Sequence, residues 1–346
     1  MISCLVRYLY SCWLFFLKKS RKKRFRNCLR RWKDLLIGKN LVKTFFSKNL
    51  GRDVNKVNGV SIKVSKNEIV GLLGVNGSGK TTTIKMLSHR INPTSGTITV
   101  DESPINDNVY KKISVISGGE KGVYPQLTGR QNLEYYGSLY GINRKNVKKH
   151  IETIGSIVGI EDFVDQRVEE FSKGMIQRLQ IAKGLLTNPE YIFLDEPTLG
   201  LDIVIAKEIR KYIKEISKRN VGILLTTHYI KEAEALCDYI YVINNGEIIL
   251  EGRTEDIKEK FRSNEILEVK ISSFNDYFLA GLEIKVGNSI VDIDKELNTV
   301  ILYNSNDALS SLVEVAKENE IQVLSFLIRE VSLEDILEDV IKKEKR

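Results

Sequence analysis

Two short stretches carry the residue types that handle phosphate. Gly74-Val75-Asn76-Gly77-Ser78-Gly79-Lys80-Thr81-Thr82 fits G-x-x-x-x-G-K-[ST] and lies after an apolar run and before a helical period. Gly74, Gly77 and Gly79 let backbone N–H groups of the Asn76–Ser78 turn point inward at an anion, and the helix that opens at Thr81-Thr82 adds the positive end of its dipole. Lys80 is placed to reach β- and γ-phosphates, and the Thr81 hydroxyl to ligate Mg2+. The second stretch, Tyr191-Ile192-Phe193-Leu194-Asp195-Glu196, is an apolar run that ends in two carboxylates. A strand buried on both faces emerges at its carboxyl end beside a nucleotide, so Asp195 is expected to hold Mg2+ through water and Glu196 to orient and deprotonate the attacking water. His228 follows a further apolar run, Gly222–Thr227, and is expected to approach the γ-phosphate and the water at Glu196. His89 and His150 have no such setting and read as structural.

These residues need a sheet to bring them together. Short apolar runs alternate with helical periods from Leu41 onward, the pattern of an α/β domain with a largely parallel sheet. Glu68–Gly74, Lys112–Ser117, Tyr191–Asp195 and Val221–Thr226 read as buried strands. Thr81–Ser88 is the helix after the phosphate loop, and Asn132–Tyr140, Val147–Val158 and Gly174–Leu186 read as a helical insertion between two halves of the sheet. Asn244-Asn245-Gly246 is a hairpin signal. Beyond Phe261 come strand-like runs (Ile266–Ile271, Ser289–Ile293, Thr299–Leu302) followed by amphipathic helices, a small α+β appendage. The expected organisation is a leader over 1–40, an α/β domain over 41–261 with its helical subdomain at about 128–186, and an accessory domain over 262–346.

Length and composition agree with that outline. A chain of 346 residues that is 42% hydrophobic and 28% charged accommodates about two domains and excludes a disordered or polytopic membrane protein. The net charge of +8 is concentrated at one end: residues 1–40 hold 12 Lys/Arg against one Asp, so the remainder is net −3. Such a body is no footprint for nucleic acid. The four cysteines show no C-x-x-C spacing, which argues against a disulfide framework or a zinc site and for a reducing compartment.

The basic leader admits three readings. Met1–Leu17 is apolar apart from Arg7, yet as a helix it would be only about 25 Å long, short of a ~30 Å hydrocarbon core. Its positive charges follow the apolar run, the reverse of a secretory signal. Tyr8, Tyr10, Trp13, Phe15 and Phe16 beside Lys18–Arg26 suit adhesion to anionic lipid; a leader that adds nothing to the fold and a basic arm for RNA are the others.

Phe171-Ser172-Lys173-Gly174-Met175 completes a set. Together with the phosphate loop, Asp195-Glu196, Pro197-Thr198-Leu199-Gly200-Leu201-Asp202 and Thr227-His228, it makes the chain from about Leu41 to Lys343 resemble the ATP-binding subunits of ABC transporters. The resemblance implies a P-loop NTPase core of the ABC ATPase type, a RecA-like sheet plus helical subdomain, that hydrolyses Mg2+-bound ATP. It implies that Ser172 and Gly174 act in trans on a partner's γ-phosphate, that Asp202 belongs to the same nucleotide interface, and that Phe45, with Phe46 next, stacks on adenine. One copy of each motif implies a homodimer or a heterodimer with another ATP-binding subunit, and the absence of a transmembrane array implies separate permease subunits at the cytoplasmic face of a membrane. The wording of the signature, the run Tyr124–Leu133 and the ending Val331–Ile336 resemble exporters for drugs, antibiotics, sodium or lipid.

Two positions depart from the family pattern. Where many relatives place a glutamine near Mg2+, this chain has Ser117-Gly118-Gly119-Glu120, with Glu120 either a replacement oxygen ligand or a solvated loop residue. Lys173 stands where the signature usually has glycine. A soluble ABC ATPase acting on ribosomes or nucleic acid is the alternative; it would be expected to carry two cassettes in one chain or a long coiled coil, and neither pattern is present.

Overall fold

A computed structural model describes residues 35–47, 51–118, 122–261, 266–286, 289–303, 307–329 and 335–336. Nearly all of the basic leader, with its expected lipid contact, and Glu120 therefore lie outside the described residues. The chain divides into two compact units. One runs to His228 and resumes at Leu236–Ile249; the other takes Tyr229–Ala235 and the chain from Leu250.

The first unit contains two sheets. β1 (Leu35–Ser47), β2 (Arg52–Ser65), β4 (Ser95–Val100) and the short β5 (Ser103–Pro104) form an antiparallel sheet in the order β2-β1-β4-β5. The other sheet has the order β10-β9-β3-β8-β7-β6, built from β3 (Ile69–Leu73), β6 (Ile113–Ser117), β7 (Tyr191–Asp195), β8 (Gly222–Thr227), β9 (Tyr239–Asn244) and β10 (Glu247–Arg253). Pairing from β9 through β6 is parallel. Every residue of β3 and β8 is buried, which explains their continuous apolar sequence: strands covered on both faces have no solvent side to mark with polar residues.

The helix α1 (Lys80–Leu87) shares one apolar cluster with both sheets, in which Ile84, Met86 and Leu87 join Leu36, Ile62, Leu72, Phe193 and Tyr241. Among the described residues three α-helices lie between β6 and β7 in the chain: α2 (Gly129–Leu139), α3 (Arg144–Val158) and α4 (Lys173–Leu185). A capping box fixes the start of α2, since Thr128 accepts from the Gln131 N–H while the Gln131 side chain accepts from the Thr128 N–H. Ser172 caps α4 and Asp202 caps the following α5 (Ile203–Ser217).

The second unit includes all of α6 (Ile230–Leu236) but its last residue, α7 (Thr254–Phe261) and a β-α-β-β-α-β run: β11 (Ile266–Ile271), α8 (Asp276–Val286), β12 (Ile290–Asp294), β13 (Thr299–Tyr303), α9 (Ala308–Glu318) and β14 (Val323–Arg329). The strand order β12-β13-β11-β14 is that of a ferredoxin-like sheet, packed on Phe278, Leu282, Leu312 and Val315 of its two helices.

Several sequence expectations shift. β1 begins at Leu35, with Leu35 and Leu36 buried, so the expected boundary at residue 40 falls inside a strand. The two units part within β10 and not after Phe261. Helices alternate with strands in the accessory unit, and Val323–Arg329, expected to fall among helices, is an edge strand; its exposed apolar residues lack the alternation that betrays a strand in sequence. The antiparallel sheet is a further addition.

Candidate functional site

The phosphate loop joins β3 to α1, and two of its glycines are dictated by space. A Cβ on Gly74 would lie 2.3 Å from the Ile243 carbonyl oxygen, and Gly79, at φ 117°, would place one 2.8 Å from the Lys56 oxygen. Gly77 takes a positive φ of 84° at the tip of the turn beside the exposed Asn76, and Thr82 sits half-buried in the first turn of α1. Ser78 is buried and its Oγ has no hydrogen-bond partner, a donor facing inward within the loop.

Lys80 is buried at the start of α1. Its Nζ donates to the Gly74 oxygen at 2.7 Å and to the Val75 oxygen at 3.1 Å, and Glu196 Oε1 is 4.0 Å away. Burial pulls its pKa below the usual lysine value, while Glu196 and Asp195 oppose that shift by favouring the charged form. The ammonium is therefore a desolvated cation held at the loop mouth.

The parallel sheet sets the carboxylates. Asp195 pairs in register with Thr226 of β8, whose hydroxyl donates to Asp195 Oδ1 at 2.6 Å. Asp195 Oδ2 is left 3.4 Å from Thr81 Oγ1, so two hard oxygens meet where the loop helix and β7 converge. Glu196 turns out of β7 at a positive φ of 52°, its N–H held by the Thr226 carbonyl and hydroxyl oxygens, each at 3.1 Å. His228 Nδ1 lies 3.2 Å from Glu196 Oε1. A non-glycine residue at positive φ persists only where its surroundings hold it, and here Thr226 does so.

A cavity of about 660 Å³ opens over these groups, lined by Thr81, Ser117, Gly118, Lys173, Gln177, Asp195 and Glu196 among others. The structure thus brings together Lys80, Thr81, Asp195, Glu196 and His228. Ser172 stands exposed at the N-terminus of α4, its hydroxyl accepting from Met175 N, and Asp202 is likewise exposed as a cap. Gly174 is buried, where a Cβ would meet Ile205 Cγ2 at 2.6 Å. Phe45 is 43% exposed on β1, with Lys43 Nζ 5.3 Å from its ring centroid. His150 Nδ1 lies 3.1 Å from the Leu186 oxygen.

Sequence reasoning missed Thr226 and Gln177. Thr226 reads as the polar end of an apolar strand, and only knowledge that β8 lies beside β7 would have flagged it. Gln177 could have been noticed as a polar residue among the apolar positions of its helix.

The family model described as ABC transporter matches residues 57–199. The ABC transporter ATP-binding protein NatA of Bacillus subtilis is 40% identical over 218 residues, covering 62% of this chain and 88% of that protein. The linearmycin resistance ATP-binding protein LnrL, also of Bacillus subtilis, is 32% identical over 305 residues, covering 87% of this chain and 96% of its own. Among solved structures, cbiO1 from Clostridium perfringens, part of the ABC transporter complex cbiONQ, superposes with a TM-score of 0.59 at 25% identity, over 66% of this chain and 93% of that one.

Proposed function

The chain belongs to the ABC transporter family as an ATP-binding, ATP-hydrolysing subunit, and from that premise we propose that it serves an exporter and how its residues share the work. Glu196 is the base that takes a proton from the attacking water. His228, against Glu196 Oε1, holds that carboxylate in place, and Lys80 meets the β- and γ-phosphates once it leaves the loop carbonyls. The observation that carries this reading is the meeting of Lys80 and Thr81, at the start of α1, with Glu196 and Asp195, at the end of β7, two elements far apart in sequence.

The donors fit a hard cation. Thr81 Oγ1 and Asp195 Oδ2 would hold Mg2+, the aspartate through water, and the ion would neutralise charge on the transferring phosphoryl group. Phe45 offers an exposed ring for adenine. Ser172, with the N-terminus of α4, is free to face a partner's triphosphate, and Gly174 lets α4 pack close on Ile205. Two such chains, or this one and a sister, would close over two nucleotides and reopen after hydrolysis.

An exposed aromatic surface on the helical insertion suits a permease. Tyr124, Tyr135, Tyr136 and Tyr140 form a ring cluster on and beside α2, with Tyr135 44% and Leu139 66% exposed. An aromatic patch on the helix that follows the Ser117–Gly118 turn is a surface for membrane subunits, which would place the chain at the cytoplasmic face of a membrane. No helix among the described residues is long and apolar enough to cross it. The match to transporter subunits leaves the ribosome-acting reading without support.

The test is Glu196→Gln, which keeps the side-chain shape and removes the base. ATP binding is expected to survive, turnover to stop and an ATP-bound dimer to accumulate; undiminished steady-state hydrolysis would overturn the assignment.

A further inference from the structure

Gln177 breaks the local rule of its helix. It lies on α4 among Ile176, Leu179, Ile181 and Ala182, is only 4% exposed, and its Nε2 has no hydrogen-bond partner. A buried amide N–H left unpaired is costly, and an apolar side chain of similar length would pack there without that cost. The carboxamide instead lines the cavity that holds Thr81, Asp195 and Glu196.

Its position is complementary to a missing side chain. Gly118, directly after β6, has nothing beyond its Cα, and the place its Cβ would occupy lies 3.3 Å from the Glu196 backbone carbonyl oxygen and 4.0 Å from Gln177 Oε1. The carboxamide from α4 therefore approaches the space that the Ser117-Gly118 turn leaves open, beside the backbone of the two carboxylates. Lys173, one helical turn earlier, lines the same cavity.

We infer that Gln177 is a further catalytic residue, whose amide hydrogen-bonds the attacking water beside Glu196. A water at that point has two protons and two lone pairs. Glu196 takes one proton and the γ-phosphorus one lone pair; Gln177 Nε2 donates to the other lone pair and fixes the direction of attack. The bond formed is water oxygen to phosphorus, the bond broken is phosphorus to the bridging oxygen of ADP, and the proton resides on Glu196 until it leaves with phosphate. This inference rests on Glu196 being the base, and loss of turnover in Glu196→Gln is its control.

The experiment compares Gln177→Met and Gln177→Glu in the full chain. Gln177→Met is expected to lower kcat by roughly tenfold to a hundredfold, the scale of one oriented hydrogen bond, with KM for ATP within about twofold. In a Glu196→Gln background, ATP affinity and the ATP-dependent dimer are expected to be retained. Gln177→Glu is expected to move the acid limb of the pH–rate profile upward, because a second carboxylate beside Glu196 raises its pKa. A kcat for Gln177→Met within twofold of wild type would refute the inference. So would kcat, ATP affinity and thermal midpoint falling together, the signature of packing alone. Should Gln177→Met not fold, an unshifted profile and unchanged kcat in Gln177→Glu would refute it equally. If Glu196→Gln keeps its turnover, the assignment of the base fails first, whatever Gln177 does.

Discussion

Thr226 donates its hydroxyl hydrogen to Asp195 Oδ1 at 2.6 Å and accepts the Glu196 N–H on the same oxygen at 3.1 Å. One fully buried side chain thereby fixes both carboxylate residues: the aspartate rotates so that Oδ2 faces Thr81, and the glutamate backbone is pinned at its strained turn. Thr226→Val keeps the shape and removes both bonds. It is expected to destabilise the first unit by about 1–3 kcal/mol in chemical denaturation, and to raise the Mg2+ concentration needed for nucleotide binding. An unchanged Mg2+ titration would show that Asp195 does not depend on this partner.

Lys80 is held by loop carbonyls and by the field of two carboxylates in a buried site. Lys80→Ala removes the cation that phosphate would meet while leaving the glycines that shape the loop. Loss of ATP binding or turnover with little change in thermal midpoint is expected. Normal ATPase activity in that variant would contradict the role given to the loop.

Gly174 is required by the approach of α5. A methyl group there would stand 2.6 Å from Ile205 Cγ2, so Gly174→Ala is expected to cost about 1–3 kcal/mol by overpacking, measurable by denaturant titration. Adding Ile205→Ala should recover part of that loss. Failure of the second change to help would mean that the strain lies in the backbone and not at this contact.

Lys183 supplies a pH test. Burial lowers its pKa to about 8, its Nζ donates to the Gly122 oxygen at 2.9 Å, and it stands 4.7 Å from the centroid of the Tyr136 ring. The folded pKa lies below the unfolded value, so the unfolded state binds more protons above pH 8. The penalty for burying the charge is in full force below pH 8 and is relieved as pH rises toward the unfolded lysine value. Stability of the wild type is expected to gain from pH 8 to 9.5 relative to Lys183→Met. The window ends there because Tyr124, Tyr136 and Tyr140, all with raised pKa values, act in the opposite sense once phenols ionise. Parallel stability curves for the two proteins would contradict the burial of a charged Lys183.

The phosphate loop, the strand ending in Asp195-Glu196 and the helices on either side of Ser172 were all legible in the chain as written. Their geometry is local: glycine conformation, a helix N-terminus and a run of buried residues depend on neighbours a few positions away. The expected strands coincide with β3, β6, β7 and β8 to within a residue or so at each end for the same reason. Less was legible where pattern is absent, as in β14, whose exposed Leu324, Phe326, Leu327 and Ile328 carry no alternation.

Tertiary structure alone decided the rest. Thr226 meets Asp195, and His228 meets Glu196, because β8 lies beside β7 in one register, a relation between segments about thirty residues apart that no local propensity encodes. Gln177 enters the cavity through the seating of α4 over the end of β6, and Gly174 acquires its meaning from Ile205. The sequence determined which chemical groups exist and the local conformations that present them. Which of them share a cavity was decided by strand order and helix packing, since burial is optimised over the whole unit and not residue by residue.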